Sequence, residues 1–217
     1  MTPERYSRLR AVLDRRQPDL TVLADFVHKP HNISAIIRSC DAFGVAEVHL
    51  AMAESDRSRF RASHGAAQGA EKWVEVNLHA DMHNAVADFQ ARGFQVCAAH
   101  LSPRAVPYRD SDFCRPTAVL LGAERDGVSE RIAEQVDHHI VVPMVGMVES
   151  FNVSVAAAII LSEAHNQRQA AGLYDAPRLD PARYERALFR WAHPKVARRL
   201  DALGEPYPAL DEVGDIA

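Results

Sequence analysis

The sequence predicts an α/β fold built on a mostly parallel sheet, and three observations carry that prediction. Apolar or β-branched runs of strand length, such as Ile140, Val141 and Val142, are closed by proline, glycine or charged stretches. Stretches with apolar residues at helical spacing lie between them, and the two patterns alternate along most of the chain. In such a sheet a ligand sits outside the carboxyl ends of the strands, so the polar loops that follow strands are where chemistry is expected.

In order, Thr2 to Arg16 reads as a helix with Thr2 as its cap and Pro3 at its first position; it sets Arg5, Arg8, Arg10, Arg15 and Arg16 against Glu4 and Asp14. Leu20 to Phe26 alternates toward a strand. In KPHNISAIIRSCDAFG, Asn32 is placed to cap a helix whose apolar positions are Ile33, Ile36, Ile37 and Cys40. At about 100° per residue, Arg38 falls away from that face, near Ser34 and Asp41, where a ligand or water can reach it. Val45 to Met52 is the next strand, Glu54 to Arg61 a charged surface loop, and RFRASHGAAQGA a basic loop with Arg59, Arg61 and His64. A helix from Met82 to Ala91 stops at Gly93; Phe94 to Ala99 is a strand, Ser102 to Arg115 a loop, and Thr117 to Leu121 another strand.

The stretch from His139 to Ser162 organises the rest. Its strand, Ile140 to Val142, stops at Pro143; a loop carries Gly146, Glu149, Ser150 and Asn152; then Val155 to Leu161 is long and apolar enough for a core helix. Capping of that helix accounts for any one of Ser150, Asn152 and Ser154. It does not account for the extended loop ahead of the cap, with its glycine and two methionines, which has the form of a loop that wraps a ligand. Further on, Arg178 to Arg199 holds Arg178, Arg183, Arg186, Arg190, Lys195, Arg198 and Arg199 against Asp180 and Glu185, interleaved with Tyr184, Phe189 and Trp191. These aromatics serve either RNA or the packing of the helix. Pro194 and Gly204 bracket a last helix, and Asp201 to Ala217, with five acids and no base, reads as a mobile tail. The expected organisation is a basic helical extension over residues 1–19, an α/β domain over 20–174, and a basic helical extension with an acidic tail over 175–217.

Composition excludes several classes. The 217 residues are 47% hydrophobic and 25% charged with a net charge of -4, which suits one sizeable core and rules out a uniformly basic coat. Cys40, Cys97 and Cys114 form no C-x-x-C and read as reduced thiols; with no signal-peptide core and no apolar run of membrane-span length, the expectation is a soluble cytoplasmic protein. The loop GAERDGVS imitates the glycine spacing of a phosphate loop, but Val128 stands at the lysine position and Glu124 and Asp126 would repel phosphates. There is no G-x-G-x-x-G and no G-x-S-x-G. His28 and His31 flank a proline, and His138 and His139 point to opposite faces of a strand, so no metal site is expected.

Three loops stand out together: Asn32, Arg38 and Phe43-Gly44; Leu121-Gly122-x-Glu124-x-x-Gly127; and Pro143-Met144-x-Gly146-x-x-x-Ser150-x-Asn152-Val153-Ser154. In this order the chain resembles the SPOUT class of RNA methyltransferases. The stretch from Met1 to Arg38 is similar to the start of the TrmH-type tRNA (guanosine 2′-O) methyltransferases, which act on guanosine 18 of the D-loop. The resemblance runs to about Tyr174. It implies a deep trefoil knot in the C-terminal part of the catalytic domain, a homodimer, tRNA as substrate, and S-adenosylmethionine held in the knot loops largely through backbone groups. By position the cofactor residues are Ala99, Leu121, Gly122, Val142, Met144, Gly146 and Phe151; Ala99 stands where close relatives commonly have threonine, and Phe151 where leucine is usual.

The same resemblance makes Arg38 the key catalytic residue, with Asn32, Glu124, Ser150 and Asn152 shaping the site. A guanidinium is always protonated, so Arg38 is expected to anchor a phosphate and stabilise the forming alkoxide, while water, an RNA phosphate or Glu124 takes the proton. Arg8, Arg10, Arg59, Arg61, Arg186, Arg190 and Lys195 are expected to grip the RNA backbone. Two other readings stay open: the same chemistry on ribosomal RNA, and a catalytically silent knotted RNA-binding protein, which the joint presence of Asn32, Arg38, Glu124, Ser150 and Asn152 opposes.

Overall fold

A computed structural model describes residues 1–57, 60 and 69–217. The RNA-contact expectations for Arg59 and Arg61, and the basic loop around His64, lie outside the described residues. The described chain divides into two compact units, residues 18–173 and residues 1–17 with 174–217.

The first unit is a parallel sheet between helices. Its strands are β1 (Leu20–Asp25), β2 (Glu47–Ala51), β3 (Glu75–His79), β4 (Gln95–Ala99), β5 (Val106–Pro107), β6 (Thr117–Leu121) and β7 (His138–Val141). Among the described residues they are ordered β3-β2-β1-β6-β4-β7-β5, and every pairing is parallel. The helices of this unit are α2 (Pro30–Ala42), α3 (Met82–Ala91), α4 (Glu130–Gln135) and α5 (Val153–Ala170), in addition to the N-terminal α1 (Pro3–Leu13) of the other unit. Two apolar layers form because strand side chains alternate. Val22, Cys97, Val119 and Leu121 pack with Ile33, Ile36 and Ile37 of α2 and Ala157, Ile160 and Leu161 of α5. Leu23, Val96, Ala98 and Leu120 pack with Met82, Val86 and Phe89 of α3 and Ile132 of α4. Each of the larger of these side chains, the Val, Leu, Ile, Met and Phe, contributes about 1.5–3 kcal/mol on burial, so the layers hold the strand ends in register.

Several expectations need correcting. β1 does not alternate: all six of its residues are buried, because both faces of this central strand are covered. Phe26 leaves it with φ 49°, a left-handed conformation costly for a bulky side chain. Asn32 does not cap α2, since Pro30 takes the first helical turn and Lys29 the cap position, leaving Asn32 buried inside the helix. Residues 54–57 are helical, where a loop was expected. Strand β3 (EVNLH) and the six-residue α4 were not anticipated: the first is an edge strand too polar to announce itself, the second shorter than two turns.

Helix α5 runs well beyond the expected Leu161, and its polar continuation to Ala170 carries Arg168, which is fully buried. The Arg168 guanidinium donates to Asp19 Oδ1 at 2.7 Å and to the carbonyls of Phe113 (2.8 Å), Asp19 (3.0 Å) and Arg115 (3.0 Å). Gln167 beside it accepts from the Phe113 amide at 2.9 Å and donates to the Ser111 carbonyl at 3.1 Å. A buried charge survives only with such complete pairing.

The second unit contains α1, α6 (Pro181–Ala192) and α7 (Pro194–Leu203). Thr2 caps α1 by accepting from the Arg5 amide, and α7 runs from Pro194 to a left-handed Gly204 at φ 67°, as the sequence indicates. Phe189 and Trp191 are buried, the Arg16 guanidinium lies over the Trp191 ring at 5.3 Å, and the Tyr184 hydroxyl donates to Asp14 at 2.8 Å. Tyr184 and Trp191 therefore pack within this unit. The acidic tail is not loose: Leu210 and Ile216 form an antiparallel bridge, and His193 Nε2 donates to the Gly214 carbonyl at 2.8 Å.

Candidate active site

Strands β1, β6, β4 and β7 are consecutive in the sheet, and their carboxyl ends lie at one level: Ala24 pairs with Leu121, Ala98 with Leu120, and Ala99 with Ile140. The loops leaving these ends are the motif loops. Three of them are joined by one hydrogen-bonded chain centred on Glu124. Its Oε1 accepts from Asn32 Nδ2 at 2.7 Å and from the Lys29 amide at 3.1 Å, and its Oε2 accepts from the His28 amide at 3.2 Å. Asn32 Oδ1 in turn accepts from Asn152 Nδ2 at 3.1 Å. Asn152 also caps α5, its Oδ1 accepting from the Ser154 amide at 2.9 Å and the Ser154 hydroxyl at 2.6 Å. Capping and long-range pairing are thus both true of Asn152.

Burial pushes the Glu124 carboxyl up. The hydrogen bonds from Asn32, His28, its own amide and Lys29 outweigh it and hold the group at about 2. A carboxylate this acidic, with both oxygens already accepting, is too weak a base to take a proton near neutrality. Glu124 ties the His28–Lys29 segment and Asn32 to its own loop.

Arg38 is exposed on the side of α2 away from the core and makes no hydrogen bond or ion pair among the described residues. It does not bond to the Glu124 network, and neither does Ser150, which is exposed. Among the expected cofactor positions, Leu121 and Gly122 are buried, Ala99, Val142 and Met144 half-buried, and Gly146 and Phe151 exposed. Gly122 answers to a close approach within its own loop, since a Cβ there would lie 2.1 Å from the Gly127 carbonyl carbon. A Cβ on Gly146 would meet nothing within 4 Å.

The loop after β7 is open in a specific way. Residues 143–151 make no hydrogen bond to the rest of the described chain. Val145 (107%), Met147 (99%) and Val148 (66%) are exposed, with Phe151 beside them. Unused backbone donors and acceptors next to apolar side chains suit a bound group recognised through the main chain and an apolar surface. Sequence reasoning missed the His28 and Lys29 amides as partners of Glu124. It also missed an open groove of about 430 Å³ along α5, where Tyr108 and Arg109 face Ser154, Val155 and Ser162. No pattern in the chain signals either one. Among the described residues, no group of three or more His, Cys, Asp or Glu side chains is placed to hold a metal ion, and no helix is long and apolar enough to cross a membrane.

Of the expected RNA contacts, Arg8, Arg10 and Lys195 are exposed, while Arg190 Nη2 donates to Asp201 at 3.1 Å and Arg186 lies 3.5 Å from the same carboxylate.

Comparison with known proteins agrees with the motif geometry. The model of the SpoU rRNA Methylase family matches residues 19–162, and that of the SpoU rRNA methylase C-terminal region matches residues 166–217. The chain is 46% identical over 218 residues to the tRNA (guanosine(18)-2'-O)-methyltransferase of Escherichia coli K12, covering 100% of this chain and 94% of the relative. The crystal structure of the A. aeolicus TrmH/SpoU tRNA modifying enzyme superposes with a TM-score of 0.81 at 42% identity, over 89% of this chain and 97% of that one. The SpoU methyltransferase AviRb of Streptomyces viridochromogenes, in complex with AdoMet, gives a TM-score of 0.59 at 27% identity over 72% and 59% of the two chains. A family match across the whole sheet, on a chain whose three motif loops are joined through Asn32, establishes that the chain belongs to the SpoU methylase family.

Proposed function

We propose that the chain transfers a methyl group from S-adenosylmethionine to the ribose 2′-hydroxyl of a guanosine in tRNA, guanosine 18. The observation that carries the reading is the chain of hydrogen bonds Asn152–Asn32–Glu124, which joins three strand-end loops, while the same helix α2 that carries Asn32 also carries the exposed Arg38. S-adenosylmethionine supplies an electrophilic methyl group for in-line displacement, so the protein has to position two reactants and manage one proton. Residues 143–151 offer the free backbone groups and apolar surface to hold the donor; the half-buried Val142 extends that surface to the end of β7. Arg38 presents a permanent positive charge and a planar fork, suited to an RNA phosphate and to the negative charge that grows on the ribose oxygen. With Glu124 already occupied, the proton passes to water or to a phosphate oxygen of the RNA. Glu124, Asn32 and Asn152 act as positioning residues.

A deep trefoil knot belongs to the same reading; the close hydrogen bonding of residues 111–115, ahead of β6, to Gln167 and Arg168 of α5 is compatible with it. So does a homodimer, supported by the exposed Val145, Met147, Val148 and Val155. The extensions, residues 1–19 and 175–217, are read as the tRNA grip. Labelled S-adenosylmethionine with defined tRNA transcripts and a ribosomal RNA fragment, followed by mapping of the methylated nucleotide, tests the assignment. Label at guanosine 18 is expected; label confined to the ribosomal fragment, or none at all, overturns it.

A further inference from the structure

One cluster in the terminal unit resembles a bound nucleotide more than a packing contact. On α6, Arg186, Phe189 and Arg190 stand at i, i+3 and i+4 and share a face. Tyr207, from the segment after α7, lies on Phe189 with ring centroids 4.6 Å apart and planes inclined by 23°. The Arg186 guanidinium carbon sits 5.5 Å from the Tyr207 ring centroid. Asp201 completes the group: its carboxylate accepts from Arg190 at 3.1 Å and from the Tyr207 hydroxyl at 2.5 Å, and lies 3.5 Å from Arg186. A flat ring stacked on phenylalanine, next to an anion shared by two arginines, is the stereochemistry of a base and its phosphate.

The cover is shallow. The Arg186 and Arg190 side chains are 61% and 46% exposed and Asp201 is 30% exposed, so solvent screens these pairs and they add little stability. The tail is fastened further along, by the His193–Gly214 hydrogen bond and by the Met1 ammonium, 2.7 Å from Asp215 Oδ1. Residues 205–209 can therefore lift between those contacts and the left-handed Gly204 without freeing the end of the chain.

We propose that Phe189, Arg186 and Arg190 form a subsite for one unpaired nucleotide of the tRNA, and that Tyr207 and Asp201 hold its place in the RNA-free chain. The inference rests on the reading of this chain as a tRNA-binding enzyme. On binding, the base takes the Tyr207 position on Phe189, the phosphate bridges Arg186 and Arg190, and the Asp201 side chain turns to solvent. Stacking accepts any base, so the subsite grips RNA without selecting sequence.

The test is equilibrium binding of a tRNA transcript to the full chain and to its Tyr207→Ala, Asp201→Asn and Phe189→Leu variants, with S-adenosylmethionine affinity measured alongside. Tyr207→Ala and Asp201→Asn are expected to bind tRNA about twofold to fivefold more tightly, the scale of one exposed pair removed. Phe189→Leu is expected to weaken it, and cofactor affinity to stay constant throughout. Hydrogen exchange on the wild-type chain supplies a readout free of substitution: within residues 205–209 the Glu205 amide, which donates to the Leu200 carbonyl at 3.0 Å, should exchange faster when tRNA is bound. If the wild-type chain fails to bind tRNA, the functional reading falls and the subsite with it. If it binds tRNA while both relieved variants bind no tighter, or the Glu205 amide gains protection, the subsite alone is refuted and Tyr207 is packing.

Discussion

Replacing Glu124 with glutamine changes one oxygen for an amino group at the point where three loops meet. Glutamine can keep the acceptor toward Asn32 and Lys29, but it then turns an N–H toward the His28 amide, donor against donor. A carboxyl held at about 2 against its ordinary 4.5 favours the ionised, folded arrangement by no more than about 3.4 kcal/mol, and solvent screening at this part-exposed group brings that down to about 1–2 kcal/mol. The expected cost of Glu124→Gln at neutral pH is therefore about 1–3 kcal/mol. The sign follows from the depressed value: the contribution is complete above about pH 4.5 and is lost as pH falls toward 2. Urea unfolding of both proteins at a series of pH values should show a constant gap above about pH 5 that closes on acidification. Methyl transfer should fall by about tenfold to a hundredfold through loss of positioning. A variant as stable as wild type, or a gap that does not change with pH, would refute the tether.

Arg38→Ala should lower transfer by at least about a hundredfold while leaving the fold and cofactor affinity intact, and Arg38→Lys should fail too because it lacks the planar fork; single-turnover rates at saturating tRNA decide. Gly146→Val should weaken S-adenosylmethionine binding more than tRNA binding, measured by calorimetry; its Cβ meets nothing in the chain itself, so unchanged cofactor affinity removes Gly146 from the site. Arg168→Met should cost about 3–5 kcal/mol in a denaturant melt, because it strands the Asp19 carboxylate and the carbonyls around it.

What could be read from the chain depended on how local each cause is. Thr2, Pro3, Pro194 and Gly204 mark helix ends through their own backbone chemistry, and they did so correctly. The run Thr117–Leu121 is a strand because nothing but apolar burial explains it. Asn32 shows the limit: an asparagine near a helix start is chemically fit either to cap or to pair at a distance, and only the position of Glu124, 92 residues on, decides. Arg168 is the same case in charge, a residue whose burial is set by Asp19 and three carbonyls far away in sequence. The motif loops were legible as a group, but the division of labour within them was not: the four backbone and side-chain donors that acidify Glu124 come from the fold.

The strand order also bears on how the chain reaches this state during synthesis. β1 is followed in sequence by β2, which covers one of its edges, while its other edge waits for β6, whose Thr117 pairs with Leu20. At about 5–20 residues per second, a ribosome takes about 5–20 s to make the intervening segment. For that interval one edge of a mostly apolar strand has no neighbour, which is the condition under which nascent chains pair with one another or recruit a chaperone. Arg168 is later still, so the guanidinium that locks Asp19 arrives after the whole sheet has been translated.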